Sequence, residues 1–273
     1  MIHHYTSIDC LALILSSRKI RFSRVDRLDD VTESTRHAEI PVGQYFFVTC
    51  WTQQDAESIP QWHMYTDRME GVRLSLPDYP FQQKLLAANP AWNTVSSGQI
   101  YSPLSLDEIL GKGHFVVPTF LGADDFGGRV EYRGDIESRY KEAIVIERSN
   151  GRFSIRINKP FDLVRLKRPE WQFQEEYRFA LLIVPSIPLP PGGPGNEQFA
   201  TTMPTFVGNC MLEGRPPEID YIDIDLSDEA LAQLKITTGP KCSKGSKVAI
   251  RALADRYAPG SEVTESQFTG SIR

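Results

Sequence analysis

Four groups of residues combine types and spacings that can do chemistry. His4-Tyr5-Thr6 closes a short apolar opening over residues 2–5 that reads as a strand. Alternation along a strand sends His4 and Tyr5 to opposite faces, so one can meet a cleft while the other packs. A histidine at a strand end has a purely structural role open to it as well. Arg21, Phe22, Ser23 and Arg24 lead into Asp26, Asp29, Asp30 and Glu33. A guanidinium fork followed by carboxylates suits a phosphate or a ribose, and suits a salt-bridged turn equally. Trp51 is followed by Gln61-Trp62-His63-Met64-Tyr65. Trp62 and Tyr65, three apart on a helix, share a face, where they either stack on a base or close the core. Trp171-Gln172-Phe173-Gln174-Glu175-Glu176-Tyr177-Arg178 sets two adjacent carboxylates before an apolar run. In an extended chain Glu175 and Glu176 face opposite ways. Whichever turns inward needs Arg178 or another cation. It then either supports a cationic transition state or forms half of a structural ion pair.

Other signatures are missing. The sequence has no glycine-rich phosphate loop ending in Lys-Ser/Thr, no His-Glu-x-x-His and no Gly-x-Ser-x-Gly. Gly122, Gly127 and Gly128 do not form a dinucleotide fingerprint. No two of Cys10, Cys50, Cys210 and Cys242 stand at zinc-knuckle spacing, and no metal is expected. Cys10 and Cys50 lie in apolar segments and are expected to be buried thiols.

The elements that must position these groups follow from periodicity. After the first strand, Thr6 or Ser7 caps a helix with Ile8, Leu11, Ile14 and Leu15 on one stripe. Residues 19–22 return as a strand, and 45–51 form a strand whose continuous apolar character implies cover on both faces. A short helix is expected over 59–69, a strand over 71–76, a helix over 81–88, a weak strand over 95–101 and a helical turn over 104–110. Residues 115–121 read as extended and 122–128 as a loop. Phe153, Ile155 and Ile157 alternate as in a half-buried strand. Residues 177–184 are the strongest strand, broken by a Pro- and Gly-rich stretch over 185–195 expected to be a mobile, exposed loop. A late strand covers 219–226, Ser227 caps a helix over 228–235, and a terminal helix covers 247–257. The interleaving is too irregular for a βαβ array. The expected fold is α+β, with a mixed or antiparallel central sheet and flanking short helices. The first strand and the 177–184 strand should share that sheet, and Arg21 or Arg24 should line the same cleft as His4.

With 273 residues, the chain reads as one domain over 1–273, a subdivision near 185–195 being the alternative. A formal charge of -5 argues against a broad nucleic-acid-binding surface, which exchanges excess positive charge for counterions. A local basic cleft stays open. The longest apolar stretch, 179–184, is too short to span a bilayer, and the start lacks a signal-peptide pattern. No membrane partner and a cytoplasmic location are expected.

The chain resembles a bacterial family defined by a domain of unknown function, number 2971. Four pieces carry the resemblance: His4-Tyr5-Thr6 with the following helix and Ile20-Arg21-Phe22-Ser23; Trp62-x-x-Tyr65 with Gly71-Val72; Trp171-x-x-x-Glu175-Glu176-Tyr177-Arg178; and Ile236-x-x-Gly239-Pro240-Lys241. Where members commonly carry Asn-Asp-Pro-x-Glu, this chain has Asp29-Asp30-Val31-Thr32-Glu33. More distantly, the opening strand, short helix and Ile20-Arg21-Phe22 are similar to the start of ADP-ribosyltransferase folds, including their DNA-modifying, toxin-like branch. That resemblance implies an ADP-ribosyltransferase-like fold with NAD as cofactor. It implies that His4 or Tyr5 holds the nicotinamide ribose and that Tyr45 or Trp62 stacks on nicotinamide. Glu176, with Glu175 as alternate, would orient the ribose and support an oxocarbenium-like state.

Two functional expectations stand. One is an NAD-dependent ADP-ribosyltransferase-like or NAD glycohydrolase-like enzyme acting on a protein or nucleic acid target. Glu176, His4 and Glu175 would be its catalytic candidates. Tyr5, Thr6, Arg21, Arg24, Tyr45, Trp62, Tyr65 and Arg178 would bind the cofactor. The other is a non-catalytic nucleotide or nucleic-acid sensor of a bacterial defence or stress system.

Overall fold

The longest strand of the fold owes its place to its alternation. The computed structural model describes residues 1–34, 36–37, 40–86, 99–121, 126–149, 152–158 and 160–272. The ten strands of its central sheet are β1 (Ile2–Thr6), β2 (Lys19–Arg24), β3 (Phe46–Thr52), β4 (Val72–Leu76), β5 (His114–Val117), β6 (Gly127–Arg129), β7 (Glu176–Pro185), β8 (Tyr221–Asp225), β9 (Lys235–Thr238) and β10 (Glu262–Glu265). Along β7, Phe179, Leu181 and Ile183 enter one hydrophobic core, and Ala180, Leu182 and Val184 enter a second. Both faces are covered, so the run is apolar at every position.

β7 pairs antiparallel with β3 from Glu176↔Thr52 to Leu182↔Phe46, and with β6 and β5. β1 pairs with β3 at His3↔Thr52 and with β4 along its whole length. β4 continues to β9, and β9 to β10. β2 joins β3 at Ser23↔Val48 and Arg24↔Phe47 and carries β8 on its other side. Every pair within this ten-stranded sheet is antiparallel except β9 with β10. The first strand and the 177–184 strand thus share one sheet, both against β3. The architecture is α+β with a largely antiparallel sheet and flanking helices.

The helices that matter for the site are α1 (Ile8–Ser17) and α2 (Ile59–Tyr65), with α3 (Glu197–Glu213) and α4 (Lys244–Tyr257) later in the chain. Ser7 rather than Thr6 caps α1, its hydroxyl accepting from the Cys10 amide. α1 buries Leu11, Ile14 and Leu15, which leaves Cys10 off the stripe and exposed. The expectation of a buried Cys10 is thereby corrected. Cys50 is half-buried, and the buried thiols are Cys210 and Cys242. Among the described residues no helix is long and apolar enough to cross a membrane.

Several local expectations give way to tertiary context. The helix expected over 81–88 is replaced by a bridge from Phe81 to Leu226 and a strand, Lys84–Leu86, paired with Ile100–Ser102. Phe81 packs against Phe22, Phe126 and Phe179, and this anchorage outweighs helix propensity. Residues 87–88, 95–98 and 122–125 of the expected elements lie outside the described residues. The extended reading of 115–121 holds to Val117, where a 3-10 turn, Pro118–Leu121, begins. α2 stops at Tyr65, because Asp67, Arg68 and Met69 all take positive φ. The helix over 228–235 ends at Ala232 so that Lys235 can open β9. The 185–195 stretch is not simply exposed. Ile187 and Leu189 pack on the second core, and Gly193 is buried.

Candidate functional site

On the edge opposite β7, β3 meets β1 at Thr52 and β2 at Val48 and Phe47. Cys50 falls in the opening between them. Its carbonyl accepts a hydrogen bond from His4 Nδ1 at 2.8 Å. A carbonyl only accepts, so the proton sits on Nδ1 and the Nε2 lone pair is free. Nε2 has no protein partner among the described residues. The His4 ring leans on Trp51, with centroids 5.1 Å apart. Burial lowers the His4 pKa and outweighs its bond to Cys50, so the ring is neutral near pH 7.

A cleft of about 150 Å³ opens at this point. The registers of β1 and β7 on β3 put His3, Tyr5, Cys50, Glu176 and Arg178 on one face of the sheet. That face is the floor. One wall is α2, through Gln61 and Tyr65. Another is the 3-10 turn Pro169–Gln174, through Trp171 and Gln174. The third is the 28–33 segment, which brings Asp29, Asp30 and Glu33. Gln61 Nε2 donates to the Gln174 carbonyl at 3.0 Å, and Gln174 Nε2 donates to the Tyr65 hydroxyl. These bonds tie the first two walls together. Burial, with Glu176 nearby, raises the Tyr65 pKa, so its hydroxyl keeps its proton.

Beneath the cleft is a buried cluster of four charges. Arg178 is fully buried. Its Nε donates to Glu176 Oε1 at 2.6 Å and its Nη2 to Glu176 Oε2 at 3.2 Å. The Nη2 also donates to Glu33 Oε1 at 3.0 Å, and Nη1 to Glu33 and to the Val164 carbonyl. All five guanidinium donors are therefore engaged. Lys167 Nζ donates to Gln174 Oε1 at 2.7 Å and Glu176 Oε2 at 2.9 Å, and lies 3.1 Å from Glu33 Oε1. Burial alone would raise the Glu176 pKa, but Arg178 and then Lys167 hold it at about 2. Burial works against the Lys167 charge, but Glu176, followed by Glu33, raises its pKa. Two carboxylates and two cations neutralise each other, which is what permits their burial.

Two residues of the lining carry a buried polar atom without a hydrogen-bond partner among the described residues: Asp30, at Oδ2, and Trp51, whose ring packs in the first core, at Nε1. The other Asp30 oxygen, Oδ1, accepts from the Thr32 amide at 2.9 Å and the Thr32 hydroxyl at 2.5 Å. Among the described residues no cluster of three or more His, Cys, Asp or Glu could hold a metal ion.

The cleft gathers His4, Tyr5, Tyr65, Glu176 and Arg178 from among the residues singled out in the sequence. Others lie elsewhere. Arg21 sits on the outside of β2, bidentate to Asp223 and over the Tyr221 ring. Arg24 is bidentate to Asp26. Neither lines the cleft, because β2 leaves β3 two ladder positions before the opening; the expected phosphate fork is instead two separate ion pairs. Thr6 ends β1, paired with Val72, and does not line the cleft. Tyr45 donates its hydroxyl to the Cys210 and Arg215 carbonyls in the second core. Trp62 stands behind Tyr5, edge-on at 4.9 Å, and donates to Glu57 at 2.8 Å. Glu175 ends the 3-10 turn at φ 41 and is exposed, outside β7 altogether. Sequence reasoning overlooked Lys167. Its partners lie 7 and 9 residues ahead and on the 28–33 segment, and no local pattern announces such a convergence. The sequence shows Cys50 only as a packing residue; its role as backbone acceptor for His4 depends on where β1 leaves β3.

No family model, curated protein or solved structure matches the chain. The functional reading therefore starts from this cleft.

Proposed function

We propose that the cleft receives the ring of a ribosylated base, with the nicotinamide end of NAD as first candidate, and that the protein is an N-ribosyl transferase or hydrolase of the ADP-ribosyltransferase-like kind. One observation carries the reading. A neutral histidine, fixed through Nδ1 to the Cys50 carbonyl and with no protein partner on Nε2 among the described residues, stands at the sheet opening that lines an aromatic-walled cleft of ring size. A cavity of about 150 Å³ is the size that holds one benzene ring. A whole dinucleotide does not fit, so the ring would enter and the phosphates would stay outside. There His4 Nε2 would accept a hydrogen bond from a ribose hydroxyl. As the bond from ribose to the ring nitrogen breaks, its electron pair leaves with the ring. The target nucleophile or water then adds to the ribose carbon and gives up a proton. Glu176, held ionised, would lie under the developing positive charge.

A second reading is favoured by the ion pairs of Glu176. Both its oxygens already accept from Arg178 and one also from Lys167. A carboxylate so neutralised stabilises a nearby cation weakly, which suits a sensor that binds a nucleotide without turnover. Labelled NAD separates the two readings. Release of nicotinamide, with or without a protein or nucleic acid acceptor, supports the enzyme. Saturable NAD binding without release supports the sensor. Absence of both removes NAD from this cleft.

A further inference from the structure

We infer that Asp30 takes the proton that the incoming water or target nucleophile gives up, and takes it at Oδ2. The inference rests on the reading of this cleft as a site of N-ribosyl transfer or hydrolysis, which leaves that proton without an acceptor. The lining narrows the choice. Its carboxylates are Asp29, Asp30, Glu33 and Glu176. Glu33 and Glu176 are each held by both Arg178 and Lys167. Protonating either would leave buried cations uncompensated, and Glu176, held at about 2, is a weak base. His3 has both ring nitrogens engaged, by Ser75 and by Asp55. Burial opposes a charge on His4, which suits it to accept a hydrogen bond but not the proton itself. That leaves Asp29, exposed to water, and Asp30, buried in the wall.

Asp30 is fixed at one oxygen and open at the other. Thr32, two residues on, gives Oδ1 its amide at 2.9 Å and its hydroxyl at 2.5 Å, the local pattern by which an aspartate holds the turn that follows it. That 3-10 turn, Val31–Ser34, carries Glu33 into the charge cluster. One short segment thus sets an ion-paired carboxylate and a half-open one against the same cleft. Arg168 approaches Oδ1, at 3.6 Å. Oδ2 has no hydrogen-bond partner among the described residues, in a residue only 4 % exposed. A buried acceptor left open recovers its hydrogen bond when a donor enters, and the O–H of a nucleophile is such a donor. In the step, the bond from the ribose carbon to the ring nitrogen breaks and its electron pair stays with the ring, which becomes neutral. A lone pair of the nucleophile forms the new bond to that carbon. Its proton passes to Oδ2, and the neutral acid then returns it to solvent.

The test is nicotinamide release from NAD by the full chain, to water and to azide. Azide is an anion that adds to the ribose carbon with no proton to lose. In Asp30→Asn the Thr32 amide can only donate, so an oxygen stays at Oδ1 and the new amide nitrogen falls at Oδ2, where it cannot take a proton. Release to water should drop about a hundredfold, the lower end of what a positioned base contributes, with little change in NAD affinity. Azide should restore release in the variant and yield the ADP-ribosyl azide, which a merely structural role of Asp30 does not explain. On the unaltered protein, release to water should slow in heavy water and release to azide should not, a readout independent of whether the variant folds. A variant as fast as the parent on water, no recovery in azide, or equal slowing of both reactions in heavy water would overturn the inference while the proposed function stands. If the parent releases no nicotinamide to water, azide or a target, both fall.

Discussion

His4 Nδ1 donates to the Cys50 carbonyl at 2.8 Å, across the opening where β1 and β2 part from β3. This bond does two things at once. It satisfies a backbone acceptor that falls between the two flanking strands, and it fixes which nitrogen of the ring is left for a ligand. Structure and chemistry are therefore separable at this residue by choice of substitution.

An asparagine amide can imitate Nδ1–H but has nothing at the place of Nε2. His4→Asn should keep its melting temperature near that of the parent and lose roughly tenfold or more in NAD affinity or turnover. His4→Ala should also lose stability, by about 1–3 kcal/mol, because the Cys50 carbonyl is left unpaired. Thermal melts and NAD assays on the same preparations check this. Equal melting of both variants would mean that the Cys50 bond contributes nothing to the fold.

Glu176 separates the structural from the chemical reading more sharply. Glu176→Gln removes one of two negative charges from a cluster with two cations, leaving buried positive charge. It should cost about 3–5 kcal/mol. Glu175→Gln, exposed outside β7, should stay within about 0.5 kcal/mol of the parent. In acid the sign follows from the depressed pKa of Glu176. Its contribution is complete above the ordinary glutamate value and is lost as pH falls toward about 2. Denaturant melts between pH 5 and 2 should show that loss in the parent and a flatter response in Glu176→Gln.

His3 predicts a second, separate pH window. Its Nδ1 is 2.8 Å from Ser75 Oγ and its Nε2 3.1 Å from Asp55 Oδ1. Burial, and then Arg73, lower its pKa to about 4, with Asp55 opposing. The unfolded chain takes up a proton near the ordinary histidine value while the folded protein does not. Stability should therefore be full above about pH 6.5 and fall as pH drops toward 4. His3→Gln should flatten the profile in that interval, and an unchanged profile would assign the loss to another group.

Glu57 links the C-terminal tail to the back of the cleft. It accepts from Trp62 Nε1 at 2.8 Å, from the Gln267 amide at 2.9 Å and from the Ser266 hydroxyl. Phe268 and Ile272 pack on the cluster formed by Tyr5, Trp62 and Met69. Truncation after Glu265 removes the Ser266, Gln267, Phe268 and Ile272 contacts, keeps the Trp62–Glu57 bond and leaves the lining itself untouched. It should lower the melting temperature by several degrees, as expected for about 1–2 kcal/mol lost from a chain of this size, and weaken ligand binding through Tyr5. Unchanged affinity would show that Tyr5 is held by β1 alone.

The sequence by itself determined the elements whose cause is local. An apolar stripe specified α1, a continuous apolar run specified β7, and Ser227 specified its helix start, because each depends on residues within a turn or two. Alternation also set Glu175 and Glu176 apart, but only the structure decided that the strand begins at Glu176 and leaves Glu175 outside it. Tertiary structure decided which of these pieces meet. Arg21 and Arg24 stand three residues apart in a promising pattern, yet pair with Asp223 and Asp26, because β2 joins β3 on the far side of the opening. Lys167 carries no local signal and sits in the charge cluster. Trp62, open in the sequence to stacking or to core packing, packs as a brace behind Tyr5. Burying a charge or a ring depends on the sum of partners brought from distant segments, and that sum is set by strand register and chain crossing, which no short window of sequence contains.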